Sequence, residues 1–439
     1  MLKAGTVVIL AAGQGTRMKS ALPKVLHEIC GKTMIAWVVD QALTLDPERI
    51  IVVVGHGAEK VEEELAKLPE ASRISCVTQD PQNGTGHALQ VAAPSFASEE
   101  GIVVVLYGDM PVLGQWSLQA LLEAQAAAGS KGMAMLTAYP ENPTGFGRIS
   151  RDAYGSFKKI VEHKDANPEE LEIGEINLGV YSFPGQKLLA CLPGLSKNNA
   201  QGEYYLTDVP AMFAETGDKV ESVVLDDLDE AIGVNNIGQL AEARWALQVR
   251  ILEKHMEGGV RIEDPASAYI DAGVEIGRGT RILPCTVIRA GVRIGENCEV
   301  GPFSHLRVGT VLDEGAEIGN FTESKNSHIG AHTKAKHLSY LGDADIGAGV
   351  NIGAGTIFAN YDGLKKHRTQ VGDGAFIGSG TTIVAPNEIA ARAVTGANSV
   401  ITISATVGED EVWAGIPARK FEGSQSVAQR REGAETAKS

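Results

Sequence analysis

Ile276-Gly-Arg-Gly-Thr-Arg-Ile282-Leu-Pro-Cys-Thr-Val-Ile288-Arg-Ala-Gly-Val-Arg-Ile294 places an isoleucine at every sixth residue. The column continues through Val300, Leu306, Leu312 and Ile318, and resumes at Val371, Ile377, Ile383, Ile389, Ile401, Val407 and Trp413, with Thr395 alone off pattern. A helix repeats its apolar face every 3.6 residues and a strand every two. A period of six, usually followed by a glycine or small residue, instead fits a triangular parallel β-helix, left-handed in hexapeptide-repeat proteins, whose coils stack aliphatic residues inward. Three hexads make a coil, so about six or seven coils fit the segment.

The rhythm breaks between residues 319 and 328, slips near Tyr340, and breaks again from Ala359 to Gln370. Loops that interrupt a solenoid are where function is expected. Upstream, Ile237 to Glu257 carries Leu240, Ala243, Trp245, Leu247, Ile251 and Leu252 and ends at Gly258-Gly259, which predicts a connecting helix with a glycine stop. Before it, Val7–Leu10, Ile50–Val54 and Ile102–Tyr107 are continuous apolar runs, as in strands buried on both faces of a parallel sheet. They predict a doubly wound α/β domain. The expected division is the α/β domain over 1–236, a linker helix over 237–257, the β-helix over 258–422, and a polar, disordered tail over 423–439.

Composition narrows the function. A net charge of −16 over 439 residues opposes non-specific binding to nucleic acid or anionic membranes. Cys30, Cys76, Cys191, Cys285 and Cys298 are odd in number and scattered, so they read as free thiols of a cytosolic protein. The apolar start, Val7 to Ala12, is too short for a membrane span and lacks a cleavage pattern, so no secretory signal is expected.

Behind the first strand lies Leu10-Ala-Ala-Gly13-Gln-Gly15-Thr-Arg17-Met18, then Lys19 and Pro23-Lys24. Glycines 13 and 15 admit close approach of a ligand, and the basic residues suit phosphate. The string is no Walker A loop and lacks the third glycine of a dinucleotide fold. Tyr107-Gly108-Asp109 closes the third strand, where a carboxylate can hold a phosphate-neutralising metal; the plainer reading makes Asp109 a helix cap. His87, in Gly84-Thr85-Gly86-His87, reads as part of a turn. In the β-helix the interruptions gather Arg307, Glu323 and Lys325; Lys336-His337-Leu-Ser-Tyr340-Leu-Gly-Asp343; and Asn351-Ile-Gly-Ala354 with Asn360-Tyr361-Asp-Gly363. A scaffold requires none of these, although a lone histidine is more often structural.

With Gly145-Phe-Gly147-Arg-Ile, Val161-Glu162-His-Lys-Asp-Ala, Glu175-Ile-Asn177, Gln201-Gly-Glu-Tyr-Tyr-Leu-Thr-Asp208 and Gly233-Val-Asn235-Asn236, the first 230 residues resemble sugar-phosphate nucleotidyltransferases. The C-terminal strings extend the resemblance to the bifunctional N-acetylglucosamine-1-phosphate uridylyltransferase/glucosamine-1-phosphate acetyltransferase family. The resemblance implies that Leu10, Ala11, Ala12, Gly13, Gln79, Gly84 and Thr85 hold the uridine half of UTP, with Tyr107 and Gly108 beside them. Lys24 and Arg17 would bind phosphate; Gly147, Glu162 and Asn177 would face the sugar; Asp109 and Asn235 would bind Mg2+. His337 would be the general base of acetyl transfer, Arg307 and Lys325 would bind the sugar phosphate, and Tyr340 and Asn351 would position the sugar. Ala354, Asn360, Tyr361, Ser379 and Ala397 would line the acetyl-CoA groove of a homotrimer.

One departure stands at the end: Trp413-Ala-Gly-Ile-Pro417-Ala-Arg419-Lys420 replaces the family's usual basic contact to coenzyme A, leaving Arg419 and Lys420 as nearest candidates, then Lys365, Lys366 and Arg368. The short stretch from Met256 to Ile276 also suggests fewer coils than the family has. Two alternatives remain open at this point, a single-function nucleotidyltransferase whose β-helix only trimerises it, and a non-enzymatic scaffold.

Overall fold

The computed structural model describes residues 3–421 and divides into two compact units, Met1–Leu247 and Gln248–Ser439. The expected tail from residue 423 lies outside the described residues.

The first unit is built on one sheet whose strands run in the order Val220–Val224, Met133–Ala138, Ile176–Pro184, Ile102–Tyr107, Thr6–Leu10, Arg49–Val54, Ile74–Thr78. Along Thr6–Leu10, Val7 and Ile9 join one apolar cluster while Val8 and Leu10 join another, so both faces are covered and the run needs no polar alternation. The three strands expected to be parallel are so, Thr6–Leu10 pairing parallel with both Arg49–Val54 and Ile102–Tyr107, while the sheet as a whole is mixed. Ile176–Pro184 runs antiparallel to both Ile102–Tyr107 and Met133–Ala138. Its first eight residues are buried, and burial pattern carries no sign of strand direction. A hairpin, Arg148–Arg151 with Phe157–Val161, pairs with its start at Ile176.

Chain direction puts the ends of Thr6–Leu10 and Ile102–Tyr107 side by side, Leu10 opposite Tyr107. Gly179 lets the antiparallel strand close over that point: its φ is +78°, and a Cβ there would lie 2.4 Å from Tyr107 Cε2.

In the second unit three sheets of ten, eight and seven strands form the faces of a β-helix, parallel except where Ala418–Lys420 turns back antiparallel on Val412–Gly415. The first strand is Arg261–Ile262, and Ile270 and Ile276 complete that coil, so the solenoid starts fourteen residues earlier than the hexad column and stacks eight strands on its second face. The stretch after Met256 thus belongs to the first coil. Thr395 keeps the register, opposite Trp413, and points inward at 1% exposure. Its hydroxyl accepts from Gly378 N at 2.9 Å and meets Thr381 Oγ1 at 3.0 Å, which satisfies a polar group in an apolar column.

The breaks in rhythm have two different causes. Between residues 319 and 328 no loop intervenes: Glu317–Asn320, Glu323–Lys325 and His328–Ile329 follow one another as strands. Ser324 replaces the aliphatic residue, fully buried and accepting from Thr310 Oγ1 at 3.2 Å. The corner after it is one residue short, Ser324 to Ile329 spanning five positions, and Leu341 to Ile346 repeats the shortening in the next coil. Only the third coil of this group carries an inserted loop, between Ile357–Ala359 and Thr369–Val371. All three irregularities fall at the same corner, between the second and third faces.

Candidate active sites

In the first unit a cleft of about 890 Å3 opens at the strand ends, lined by Leu10, Ala11, Ala12, Gly13, Lys24, Gln79, Gly84, Thr85, Tyr107 and Asp109. Gly13 faces open space, whereas a Cβ on Gly15 would sit 2.6 Å from Lys24 Cβ, so Gly15 is the glycine the turn requires. Gly108 donates its N–H to Leu10 O at 3.0 Å and ties the two strand ends together.

At the basic end, residues distant in sequence meet. Lys24 Nζ donates to Asp109 Oδ2 at 2.5 Å and to Asn235 Oδ1 at 3.2 Å, and Arg17 Nη2 donates to the same amide oxygen at 2.9 Å. Val234 N donates to Asp109 O at 2.8 Å, which carries Asn235 into place. Asp109 caps no helix, since the next one is Gln115–Ala128. The carboxylate and amide oxygens of Asp109 and Asn235 both reach the Lys24 ammonium, and such hard oxygen donors fit a divalent metal. Among the described residues no group of three His, Cys, Asp or Glu could hold a metal, so phosphate and water oxygens would have to complete the shell.

The residues expected to face the sugar are held together by hydrogen bonds of their own. Asn177 N donates to Gly147 O at 2.9 Å, Asn177 Nδ2 donates to the Tyr181 hydroxyl at 2.8 Å, and Asn177 Oδ1 accepts from Gly179 N at 3.1 Å. Glu162 accepts from Thr207 Oγ1 at 3.0 Å. Burial pushes the Glu162 carboxyl up, Thr207 opposes the shift, and the charges of Asp165 and Asp208 add to it. Burial, then the Glu162 charge, also holds the Tyr107 phenol well above its ordinary range. Sequence reasoning gave no role to Thr207, Gln82 or Glu203. Gln82 Nε2 donates to Ala12 O at 2.6 Å, and Glu203 lines the cleft beneath Gly84.

In the second unit the expected residues sort onto two corners. Gly355 N donates to His337 O, Gly380 N to Ala354 O, and Asn398 N to Ser379 O, so His337, Ala354, Ser379 and Ala397 hold equivalent positions in four successive coils. A left-handed residue follows each: Leu338, Gly355, Gly380 and Asn398. The steps along the chain are unequal, which hides this column in the sequence. His337 pairs in register with Asn320, whose Oδ1 lies 3.0 Å from His337 Nδ1. That bond leaves Nε2 as the ring's accepting nitrogen. Asn320 was not singled out by the sequence.

The other corner holds Arg307, Lys325 and the inserted loop. Arg307 Nη1 donates to Glu323 Oε1 at 2.7 Å. Lys325 lies so close to Lys366 that its ammonium is pushed down, first by that contact and then by the Lys366 and Arg307 charges. Asn360 Nδ2 donates to Asp343 Oδ2 at 2.5 Å and to the Tyr340 hydroxyl at 3.3 Å, while Asn326 Nδ2 donates to Asp343 Oδ1 at 2.6 Å. Tyr361 is exposed and donates to Gly363 O at 2.7 Å. Asn351 lies on the first face, in register between Lys334 and Phe376. Within one chain, Asn360 and Tyr361 therefore do not join the corner of Ala354, Ser379 and Ala397.

Of the spare cations, Arg368 is taken up by Asp345, and Lys420 donates to Glu411 Oε1 at 2.6 Å. Lys420, with Trp413 Nε1 and Gly408 N, holds the Glu411 carboxyl down to about 2. Arg419 makes one side-chain bond, to Ala418 O at 3.1 Å.

Comparison with known proteins identifies the family. Residues 7–167 match the MobA-like NTP transferase domain. The bifunctional protein GlmU of Geobacillus thermodenitrificans (strain NG80-2) is 45% identical, with 90% of this chain and 92% of that protein covered. GlmU of Lactococcus lactis subsp. lactis (strain IL1403) is 44% identical over the same shares, and that of Thermobifida fusca (strain YX) 43% identical over 95% and 93%. Identity at this level spans both units, and the chain belongs to the GlmU family of bifunctional proteins.

Proposed function

We propose that this chain makes UDP-N-acetylglucosamine in two steps: acetyl transfer from acetyl-CoA to glucosamine 1-phosphate, then uridylyl transfer from UTP to N-acetylglucosamine 1-phosphate. The observation that carries the reading is the convergence of Lys24, Arg17, Asp109 and Asn235 at one end of the cleft. Residues 1–236 would perform the second step, 258–422 the first, with 237–257 as the joining helix.

In uridylyl transfer a sugar-phosphate oxygen attacks the α-phosphorus of UTP and pyrophosphate leaves; no covalent enzyme intermediate is needed. Lys24 and Arg17 offset charge on the transferring group, and the Leu10–Gly13 turn with Gln79, Gly84 and Thr85 orients the nucleoside. Asp109 and Asn235 would hold Mg2+, which would supply charge neutralisation to the phosphates. Gly147, Glu162 and Asn177 orient the sugar.

In acetyl transfer the amine of glucosamine 1-phosphate attacks the thioester carbonyl, the C–S bond breaks, and coenzyme A leaves with its sulfur protonated. His337 Nε2 takes the amine proton while Asn320 fixes the ring through Nδ1. Arg307 and Lys325 hold the sugar phosphate, and Tyr340 and Asn351 the sugar. The acetyl-CoA groove combines Ala354, Ser379 and Ala397 with Asn360 and Tyr361.

Because those two sets lie on different corners of one chain, a neighbouring copy is the natural means of uniting them, and we assign a homotrimer. Phe303, Phe321 and Leu338, on the His337 corner, are each more than half exposed, and the two phenyl rings stack at 5.3 Å, which gives that corner an apolar strip for a neighbour to cover. Light scattering that returned a monomer with full acetyl transfer would refute the assignment. No described helix is long and apolar enough to cross a membrane. The acidic net charge supports a cytoplasmic location.

The test is an incubation of glucosamine 1-phosphate, acetyl-CoA, UTP and Mg2+ with single omissions. UDP-N-acetylglucosamine should form only in the complete mixture, and N-acetylglucosamine 1-phosphate should accumulate without UTP or Mg2+. Failure to consume acetyl-CoA would reduce the β-helix to an assembly module.

A further inference from the structure

Gln79 follows the strand Ile74–Thr78 and lies on the wall of the nucleotide cleft, 5% exposed. Its amide nitrogen contributes both protons to the protein, one to Gly84 O at 2.9 Å and one to His87 Nδ1 at 3.1 Å. A carbonyl only accepts, so the Gly84 bond fixes which end of the amide is nitrogen. The second bond then requires the lone pair of His87 on Nδ1. What the amide offers the cleft is its oxygen, an acceptor.

His87 is itself held. It stands in the helix Thr85–Ala92, its ring stacked on Tyr204 with centroids 6.1 Å apart. Tyr204 grips the same turn through its backbone, donating to Asn83 O at 2.9 Å and accepting from Gly86 N at 2.8 Å. A Cβ on Gly84 would lie 2.5 Å from Tyr204 O, so the turn and the Tyr204 segment are in close contact.

We propose that His87 is a positioning residue for base selectivity: by locking the Gln79 amide with its oxygen toward the cleft, it selects a pyrimidine carrying N3–H over one with a lone pair at N3. Uracil donates from N3 and cytosine accepts there, so the fixed oxygen pairs with the first and repels the second. Turning the amide to suit cytosine would set its oxygen against both Gly84 O and the His87 Nδ1 lone pair, and this double penalty is what makes the choice firm. The proposal rests on the reading that Gln79 meets the base of UTP.

The experiment compares kcat/KM for UTP and CTP, with N-acetylglucosamine 1-phosphate, in the full chain and in His87→Phe, His87→Asn and Gln79→Ala. His87→Phe keeps a ring against Tyr204 but removes the acceptor; the UTP-to-CTP preference should narrow by about tenfold, through KM more than kcat, as one orienting hydrogen bond warrants. His87→Asn places an amide oxygen near the former Nδ1, and should retain most of the preference while losing the ring. An unchanged preference in His87→Phe, or an equal loss in both histidine variants, would overturn the proposal. Gln79→Ala separates the two layers: if it leaves the preference intact, the base-contact reading itself falls, and if it alone collapses the preference, only the role of His87 falls.

Discussion

Asp343 joins three coils at the irregular corner, and removing its carboxylate should release the inserted loop. It is 8% exposed and accepts from Asn326 Nδ2 at 2.6 Å and Asn360 Nδ2 at 2.5 Å. Hydrogen bonds to a charged group contribute about 1.5–3 kcal/mol each. Two would give roughly 3–6 kcal/mol, and the nearby solvent argues for the lower end, about 3 kcal/mol. Asp343 also has φ +51°, a conformation that alanine tolerates less well than aspartate. In Asp343→Ala a local cost of about 3 kcal/mol should raise the open population of residues 360–369 by about a hundredfold, since 1.4 kcal/mol is a factor of ten. Hydrogen exchange reads this directly at His367 N and Thr369 N, which donate to Asn360 O and Asp343 O. Acetyl transfer should show a raised KM for acetyl-CoA with uridylyl transfer unchanged. Asp343→Asn keeps one acceptor and should fall between. Unaltered exchange at both amides together with an unaltered KM would show that Asp343 does not hold the loop.

The two activities should separate by mutation: Lys24→Ala should lower uridylyl transfer by orders of magnitude and spare acetyl transfer, His337→Ala the reverse, and loss of both from either change in folded protein would defeat the two-site account. Because the Glu162 carboxyl is pushed up by burial, it takes up its proton at a higher pH than an ordinary glutamate. The KM for N-acetylglucosamine 1-phosphate should accordingly rise as pH falls, starting above the usual carboxylate range, and Glu162→Gln should remove that dependence; a pH-independent KM down to the ordinary glutamate range would refute the role. Lys420 is engaged by Glu411, so Arg419→Ala alone should raise the KM for acetyl-CoA several-fold with little change in kcat, whereas Lys420→Ala should not. Equal effects of the two changes on that KM at low salt would contradict this division.

Local rules made much of this molecule legible before any coordinates. A hexad column specifies a β-helix because each aliphatic residue must meet its counterpart one coil away, and the helix Ile237–Glu257 follows from its periodicity and glycine stop. The cleft strings were legible because glycine, lysine and aspartate at the ends of apolar strands have few structural reasons to be there. Strand direction in the sheet was not legible, since Ile176–Pro184 is buried whichever way it runs. The early first coil was missed because its steps are irregular before Ile276. Asn320, Thr207, the partners of Asp343 and the pairing of Gln79 with His87 lie outside sequence reasoning for one reason: an uncharged or singly placed polar side chain does not announce its partner, which is chosen by register and packing. The sequence determined which segments could stack and which strings could bind phosphate. Tertiary structure alone decided that Asn235 reaches Lys24 across more than two hundred residues, and that coils of unequal length bring His337, Ala354, Ser379 and Ala397 into one line, because hydrogen-bond register, not spacing along the chain, sets which side chains meet.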